Sequence, residues 1–276
     1  MKRIQTIFCA LAVLLTACDK FGQDGLLTEF PAVVMDFAVK SALDPDTGGF
    51  SWQDGDLVRV FNGDNDAVFK YDADRDLFVV SEGALAKTGS YQAGYPADLF
   101  SFQDGVCTLS LPDTQAASKV VDRMPLYLWK VRDGVFKFKS ICGLAKLQLV
   151  GSGLALYEAP LTKVTFTSTG GFASGSGTVG KDGVFTIASG EKTMTVDCPD
   201  GMTAGSPVFL TLPSQKYPMG SKVSFFFADG KVVESVTVMG IVPRPDMIKS
   251  YELEITADFF GPLEDFEDGG SIDDKF

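Results

Sequence analysis

The stretch Arg132-Asp133-Gly134-Val135-Phe136-Lys137-Phe138-Lys139 combines the two signals that decide the fold class. Asp-Gly is favoured in tight hairpin turns, because both central residues can need a positive φ. Behind the turn, Phe136 and Phe138 alternate with lysines. A half-buried strand has this pattern, since successive side chains point to opposite faces of a sheet. The stretch therefore predicts a β-hairpin.

The same pattern recurs along most of the chain and predicts β-sandwiches. Only one short helix is expected, from about Gln115 to Arg123. Alternating apolar residues occur at Val33, Met35, Phe37 and Val39, at Leu147 and Leu149, and at Tyr251, Leu253, Ile255 and Ala257. Further turn signals are Asp54-Gly55, Asn62-Gly63, Asp104-Gly105, Asp182-Gly183 and Asp229-Gly230.

The start of the chain has the features of a secretory signal. Lys2 and Arg3 precede a short apolar stretch, and Leu15-Thr16-Ala17-Cys18 follows it. This ending resembles the lipobox of bacterial lipoproteins, which implies cleavage before Cys18 and lipid modification of its thiol. We expect the protein to work outside the cytoplasm, held at a membrane by acyl chains on Cys18.

Composition excludes several classes of function. The chain has 24 Lys and Arg against 36 Asp and Glu, and this acidic balance argues against a nucleic-acid partner. It has no histidine, which excludes serine-histidine-acid triads and histidine-ligated zinc. Nothing singles out a catalytic pair among the 36 carboxylates, so we expect no enzyme activity.

No residues suggest a cofactor or a metal. The acidic run at 72–76 lacks the later glycine and glutamate of a calcium loop, and the glycine-rich run at 170–177 fits a hairpin or bulge better than a phosphate loop. Cys107, Cys142 and Cys198 cannot all pair with one another, so we expect small buried hydrophobic residues. Their pairing state is left open.

The chain resembles the fimbrillin-like lipoproteins of Bacteroidetes, from residue 18 to about residue 257. Besides the lipobox, four motifs carry the resemblance. They are Trp52-Gln53-Asp54-Gly55-Asp56 before the strand Leu57 to Phe61, Tyr91-Gln92-Ala93-Gly94-Tyr95-Pro96, Leu109-Ser110-Leu111-Pro112 followed by Gln115, and, for a second domain, Phe138 to Leu149 with Phe209-Leu210-Thr211-Leu212-Pro213.

The resemblance implies two tandem transthyretin-like β-sandwich domains in a surface lipoprotein of the type V pilus system. The domain prediction is a signal peptide at 1–17, an N-terminal β-sandwich at 18–132, a C-terminal β-sandwich at 133–258 and an acidic flexible tail at 259–276. The implied location is the outer membrane, the cell surface or a fimbrium. The implied partners are other pilus subunits, joined by donor-strand exchange, and ligands on host or bacterial surfaces.

In the stalk subunits of that family, a trypsin-like protease cuts after a basic residue and removes the first strand, which a neighbouring subunit then replaces. Here residues 31–40 are the candidate strand, and residues 251–257 with the tail are a candidate donor. The first arginine after Arg3 is Arg59, inside a predicted strand, so Lys40 is the available cleavage site. Either Lys40 is cut in an exposed loop, or the protein is not processed and stays lipidated as an anchor or a terminal unit.

A second function remains open. Trp52, Trp129, Tyr91, Tyr95 and Tyr127 could stack on sugars if they lay together on an exposed face, which would make the protein a glycan-binding surface lipoprotein. Aromatic residues at strand positions more often belong to the core, and we expect that placement here. Whether the chain is a stalk, tip or anchor subunit is left open.

Overall fold

The computed structural model describes residues 25–34, 52–63, 65–117, 124–237, 240–245 and 248–256, without the side chains of 199–201. The fold is all-β, as the alternating patterns predict, with short 3₁₀ turns at Ala97–Leu99 and Ser152–Leu156. None of the helical segments in these ranges has the length and apolar character that a membrane span needs.

The described chain forms twenty-two strands. The first thirteen are β1 (Leu26–Leu27), β2 (Glu29–Phe30), β3 (Ala32–Val34), β4 (Leu57–Asn62), β5 (Asn65–Asp72), β6 (Leu77–Gly83), β7 (Leu85–Ala86), β8 (Tyr91–Tyr95), β9 (Phe100–Gln103), β10 (Val106–Leu111), β11 (Thr114–Ala116), β12 (Leu126–Arg132) and β13 (Val135–Ser140). The other nine are β14 (Cys142–Val150), β15 (Leu161–Thr167), β16 (Ser174–Val179), β17 (Phe185–Glu191), β18 (Thr193–Met202), β19 (Val208–Pro213), β20 (Lys222–Phe227), β21 (Val232–Val236) and β22 (Ile248–Glu254).

The hairpin predicted at Asp133-Gly134 is confirmed. Strands β12 and β13 pair antiparallel, with Arg132 opposite Val135. The two turn residues both have positive φ, 54° for Asp133 and 76° for Gly134. This left-handed backbone matches the twist of the flanking strands, which is the reason for the Asp-Gly preference.

The strands form five sheets in the described ranges. An eight-stranded sheet runs in the order β2-β6-β5-β4-β8-β12-β13-β3. A five-stranded sheet runs β11-β18-β15-β20-β21, a four-stranded sheet β17-β16-β10-β9 and a three-stranded sheet β19-β14-β22, while β1 and β7 pair separately. Most pairs are antiparallel, but β3, β11 and β22 pair in parallel with β13, β18 and β14.

Two hydrophobic clusters form the core. The smaller lies against the eight-stranded sheet and includes Phe30, Phe69 and Phe136. The larger lies among the other sheets and includes Leu109 and Phe166. Strand pairing crosses the predicted boundary between residues 132 and 133, because β13 pairs with β12 and β10 pairs with β16. The division into two domains remains a prediction.

The short helix expected from Gln115 does not begin there, because residues 114–116 form β11. The Gln115 side chain is buried and completes the backbone bonding of β19. Its Nε2 donates to the carbonyl of Thr211, and its Oε1 accepts from the Thr211 amide, each at 3.1 Å. Because both the Nε2 and the Oε1 of this buried side chain are hydrogen-bonded, Gln115 is held in the sheet rather than in the predicted helix. Residues 118–123 lie outside the described ranges.

Candidate functional site

The candidate site consists of residues 25–34, here called the N-terminal segment, and the groove that receives them. In the eight-stranded sheet, β2 is one edge and β3 is the other. Only Pro31 separates the two strands. A single short segment therefore supplies both edge strands of the sheet, β2 paired with β6 and β3 paired with β13.

Three backbone carbonyls of the N-terminal segment accept hydrogen bonds from the groove. Gly25 accepts from the amide of Lys87 at 3.0 Å, Thr28 from Val80 at 2.9 Å and Pro31 from Phe136 at 2.9 Å. These bonds supplement the ladders of β1 with β7, β2 with β6 and β3 with β13. Removal of the segment would leave edge amides without partners, and such an edge accepts another strand.

Phe30 is the main apolar anchor of the N-terminal segment. Its side chain is 0% exposed and lies inside a cluster of aromatic rings. The ring centroids of Phe69 and Phe78 lie 4.9 and 5.4 Å away, and that of Phe136 lies 3.9 Å away. Leu27 is buried as well. The groove therefore offers deep apolar pockets beside the backbone amides that pair with the segment.

Trp52 covers one side of the groove. Its indole Nε1 donates to the Ala32 carbonyl at 3.1 Å, and its ring meets Phe78 edge-on at 4.8 Å and Tyr95 edge-on at 5.2 Å. Tryptophans packed among other side chains usually have such a partner for the N–H group. Trp52 is partly buried, precedes β4 and packs against the smaller core cluster, so it contributes to the core rather than to an exposed aromatic face.

Charged groups contribute little to the hold on the N-terminal segment. Arg75 forms an ion pair with Glu29, and both side chains are partly exposed, which limits such a pair to about 0–1 kcal/mol. Nearby, the Tyr71 hydroxyl donates to Asp76 at 2.6 Å. That hydrogen bond, together with burial, raises the pKa of Tyr71 to about 12. The segment is held mainly by apolar contacts and backbone bonds.

The two sequence-predicted site residues, Cys18 and Lys40, lie outside the described ranges, as do the signal peptide and the acidic tail. Part of the candidate strand at 31–40 is described, and one assignment within it is wrong. Val33 was expected on the buried face, but it is 45% exposed while Ala32 is buried. Ala32 packs into the smaller core cluster, and its neighbour must then point the other way.

The late strand predicted at 251–257 is confirmed through Glu254, where β22 ends. Tyr251, Leu253 and Ile255 are buried, whereas Glu252 and Glu254 are exposed. The strand pairs in parallel with β14 at a sheet edge, and the Ile255 amide donates to the Val150 carbonyl at 2.7 Å. These residues are part of their own core, so donating them to a neighbour would require detaching them first.

Trp129 differs from Trp52 and does not belong to the core, so the expectation for it is wrong. It is 45% exposed and lines a cavity of 710 Å³ between the turns of the four-stranded sheet and strands β8 and β12. Tyr91 and Tyr127 also line this cavity, whereas Tyr95 is buried beside Trp52. We call this cavity the Trp129 pocket. Sequence reasoning names Trp129, Tyr91 and Tyr127 as possible sugar-binding residues, but it does not predict the pocket, because the walls come from distant parts of the chain.

The three cysteines past residue 18 are buried and free, as expected of small hydrophobic residues. Burial raises the pKa of Cys107 to about 12 and that of Cys198 to about 11. Burial also raises the pKa of Cys142. Thiols of this kind are inert at neutral pH, because the reactive species is the thiolate.

The chain matches no protein-family model and no curated protein. Its fold does match solved structures from Bacteroides at low identity. A protein of Bacteroides uniformis named for cell adhesion is 15% identical with a TM-score of 0.52, covering 85% of this chain and 95% of its own. A protein of Bacteroides ovatus, also named for cell adhesion, is 14% identical with a TM-score of 0.55, covering 84% and 93%. At these identities the likeness establishes a shared fold.

Proposed function

We propose that the protein is a cell-surface lipoprotein of the fimbrial type, anchored through Cys18, which joins other subunits by strand addition in the groove of the N-terminal segment. Its role is structural or adhesive rather than enzymatic. The observation that carries the proposal is the position of β2 and β3 on opposite edges of one sheet, with the fully buried Phe30 between their partners.

A vacated groove would have two unmet needs. It would expose edge amides on β6 and β13 and an apolar pocket the size of the Phe30 ring. An incoming strand with apolar side chains at alternate positions satisfies both needs at once. The shared fold with Bacteroides proteins named for cell adhesion supports a surface role.

The role depends on a single peptide bond. If a protease cuts after Lys40, the lipid on Cys18 leaves together with the N-terminal segment, and the subunit is free to polymerise. If that bond stays intact, the lipid stays and the subunit is a fixed anchor or terminal unit. Both states use the same groove. In the cut subunit a neighbour's strand fills it, and in the intact subunit the chain's own N-terminal segment fills it.

The test is N-terminal sequencing of the protein extracted from cells, together with immunogold electron microscopy. A first residue of Ser41 and label along fibres would indicate a processed stalk subunit. A lipid-blocked Cys18 and label confined to the cell surface would indicate an anchor. Absence of label from the cell surface would contradict the proposal, and a processed start other than Ser41 would contradict cleavage at Lys40.

Glycan capture is a second candidate function, favoured by the Trp129 pocket. An exposed tryptophan in a cavity of 710 Å³ is suited to packing on a sugar ring, and the cavity falls within the size range typical of small-ligand sites. The two functions are compatible, because the pocket lies mainly on β8 and β12, and Lys87 is the described residue that both lines it and bonds to the N-terminal segment.

A further inference from the structure

We infer that the Trp129 pocket binds an acidic sugar, that is, a sugar unit of a glycan that carries a carboxylate group. The inference rests on the glycan capture proposed above and names the class of ligand. It combines three features of the pocket: an aromatic face aimed into it by the backbone, a local excess of lysines, and polar side chains already held in place.

A β-bulge aims Trp129 into the pocket. In the pairing of β12 with β13, Leu128 lies opposite Phe138 and Lys130 lies opposite Lys137, so Trp129 has no opposite residue. Such an extra residue bends a strand and redirects its side chain, and bulges recur beside binding sites. Here the first three residues of β12, 126–128, are buried, and the bulge that follows them turns the indole of Trp129 outward. The negative face of the ring suits the polarised C–H face of a sugar.

The charge of the pocket is opposite to that of the protein. Lys87, Lys130 and Lys181 line it, and the part of its lining that the structure describes contains no aspartate or glutamate. The whole chain, by contrast, carries a net charge of −12. Lys130 and Lys181 form no ion pair with any residue in the described ranges. The Lys130 Nζ lies 3.6 Å from the centroid of the Trp129 ring, so the ammonium covers one face of the indole and a sugar would pack on the other face.

Asp182, the acidic residue nearest in sequence to these lysines, uses its carboxylate within its own turn. Asp182 follows Lys181 in the turn between β16 and β17. Its Oδ1 accepts from the Val184 amide at 3.1 Å, and its carbonyl accepts from the Lys139 Nζ at 2.8 Å. The carboxylate therefore stabilises its own turn, and the Lys181 ammonium remains available for a ligand carboxylate.

The polar wall of the pocket is held in place before any ligand arrives. The Tyr127 hydroxyl donates to Gln92 Oε1 at 2.5 Å, which fixes the side-chain amide and leaves its Nε2 as a donor. The Tyr91 hydroxyl donates to the Ala86 carbonyl at 2.7 Å, and Asn62 Nδ2 donates to the Thr88 carbonyl at 2.9 Å. These last two bonds brace the loop that carries Lys87. A preorganised wall reduces the entropic cost of binding.

The experiment is isothermal titration calorimetry on the mature chain carrying Cys18→Ser, with trigalacturonate, neutral galactotriose and triglutamate as probes. We expect saturable binding of trigalacturonate, about tenfold tighter than that of galactotriose. Trp129→Ala and the double variant Lys130→Gln/Lys181→Gln should each weaken it about tenfold. Lys163→Gln is the matched control, because the Lys163 Nζ also lies over an aromatic ring, Phe226 at 4.4 Å, but outside the pocket. It should leave the affinity unchanged.

Equal affinity for galactotriose and trigalacturonate would overturn the acidic specificity while leaving glycan capture standing. Binding of triglutamate as tight as that of trigalacturonate would point to an acidic peptide and overturn the inference. The absence of saturable binding for every probe would also overturn the inference. The same holds if Lys163→Gln loses as much affinity for trigalacturonate as the pocket variants do. Urea denaturation of each variant shows that a loss of binding is not a loss of fold. None of these results depends on strand addition.

Discussion

The ring of Phe30 stacks on that of Phe136, with centroids 3.9 Å apart and an interplanar angle of 20°. Phe30 belongs to the N-terminal segment, and Phe136 follows the Asp133-Gly134 turn more than a hundred residues later. This contact joins the start of the described chain to β13, the strand next to the β3 edge of the eight-stranded sheet. It makes Phe30 the residue on which retention of the segment depends.

Replacing Phe30 with alanine should destabilise the fold by about 3–5 kcal/mol, because it empties a fully buried aromatic site. Urea denaturation followed by intrinsic fluorescence measures the change. Val33→Ala is the control within the same segment, and its exposed side chain predicts a change within about 0.5 kcal/mol. Equal losses in the two variants would show that Phe30 is not the anchor.

Replacing Cys18 with serine should release the protein from membranes, since the acyl chains predicted on its thiol are the proposed anchor. Partition in a cloud-point detergent measures this, with the native protein in the detergent phase and Cys18→Ser in the aqueous phase. Cys107→Ser serves as the comparison, because that buried thiol has no part in anchoring. A Cys18→Ser protein that still enters the detergent phase would rule out this anchor.

The protein should lose stability in alkali above about pH 9. Burial raises the pKa values of Cys107 and Cys198 to about 12 and 11 from an ordinary value of 9.0, and it raises the pKa of Tyr251 to about 12. The unfolded chain therefore releases these protons at lower pH than the folded chain. The stabilising contribution is complete below about pH 9 and is lost as pH rises through the folded-state pKa values.

Urea denaturation from pH 7.5 to pH 10.5 checks this sign. The free energy of unfolding should be flat at first and then fall, and Cys107→Ala should reduce the slope of the fall. A free energy of unfolding that rises between pH 9 and pH 10.5 would contradict the assignment of these groups to a water-excluded core.

Local signals in the sequence were sufficient for the fold class. The Asp133-Gly134 turn and the alternation at Phe136 and Phe138 each act over a few residues, and both are confirmed. The same holds for Tyr251, Leu253 and Ile255. These signals work because the positive φ of a turn and the alternation of a strand are properties of adjacent residues.

Long-range pairing could not be predicted in the same way. The parallel partners of β3 and β22 lie far away in sequence and have no turn that marks them. Phe30 was not singled out because β2 is two residues long and shows no alternation. The alternation places Val33 on the wrong face because the register of β3 is set by its pairing with β13. The bulge at Trp129 is visible only once the pairing of β12 with β13 is known.

The account can be tested most directly by locking the N-terminal segment with a disulfide. Val33 lies opposite Lys137 in the pairing of β3 with β13, at a spacing that a disulfide can bridge. The variant Val33→Cys/Lys137→Cys should therefore hold the segment in its groove even after a protease has cut at Lys40. The matched control is Lys222→Cys/Val236→Cys, another Lys–Val pair, on β20 and β21 and away from the groove.

The decisive measurement is native mass spectrometry of both proteins, in the Cys18→Ser background, after limited digestion with a lysine-specific protease. The account predicts that the oxidised lock stays monomeric and keeps its N-terminal segment, and that reduction releases the segment and allows multimers that lack it. The oxidised control should form such multimers without reduction. Multimers of the oxidised lock as abundant as those of the control, or a released segment with no multimers after reduction, would contradict strand addition in this groove.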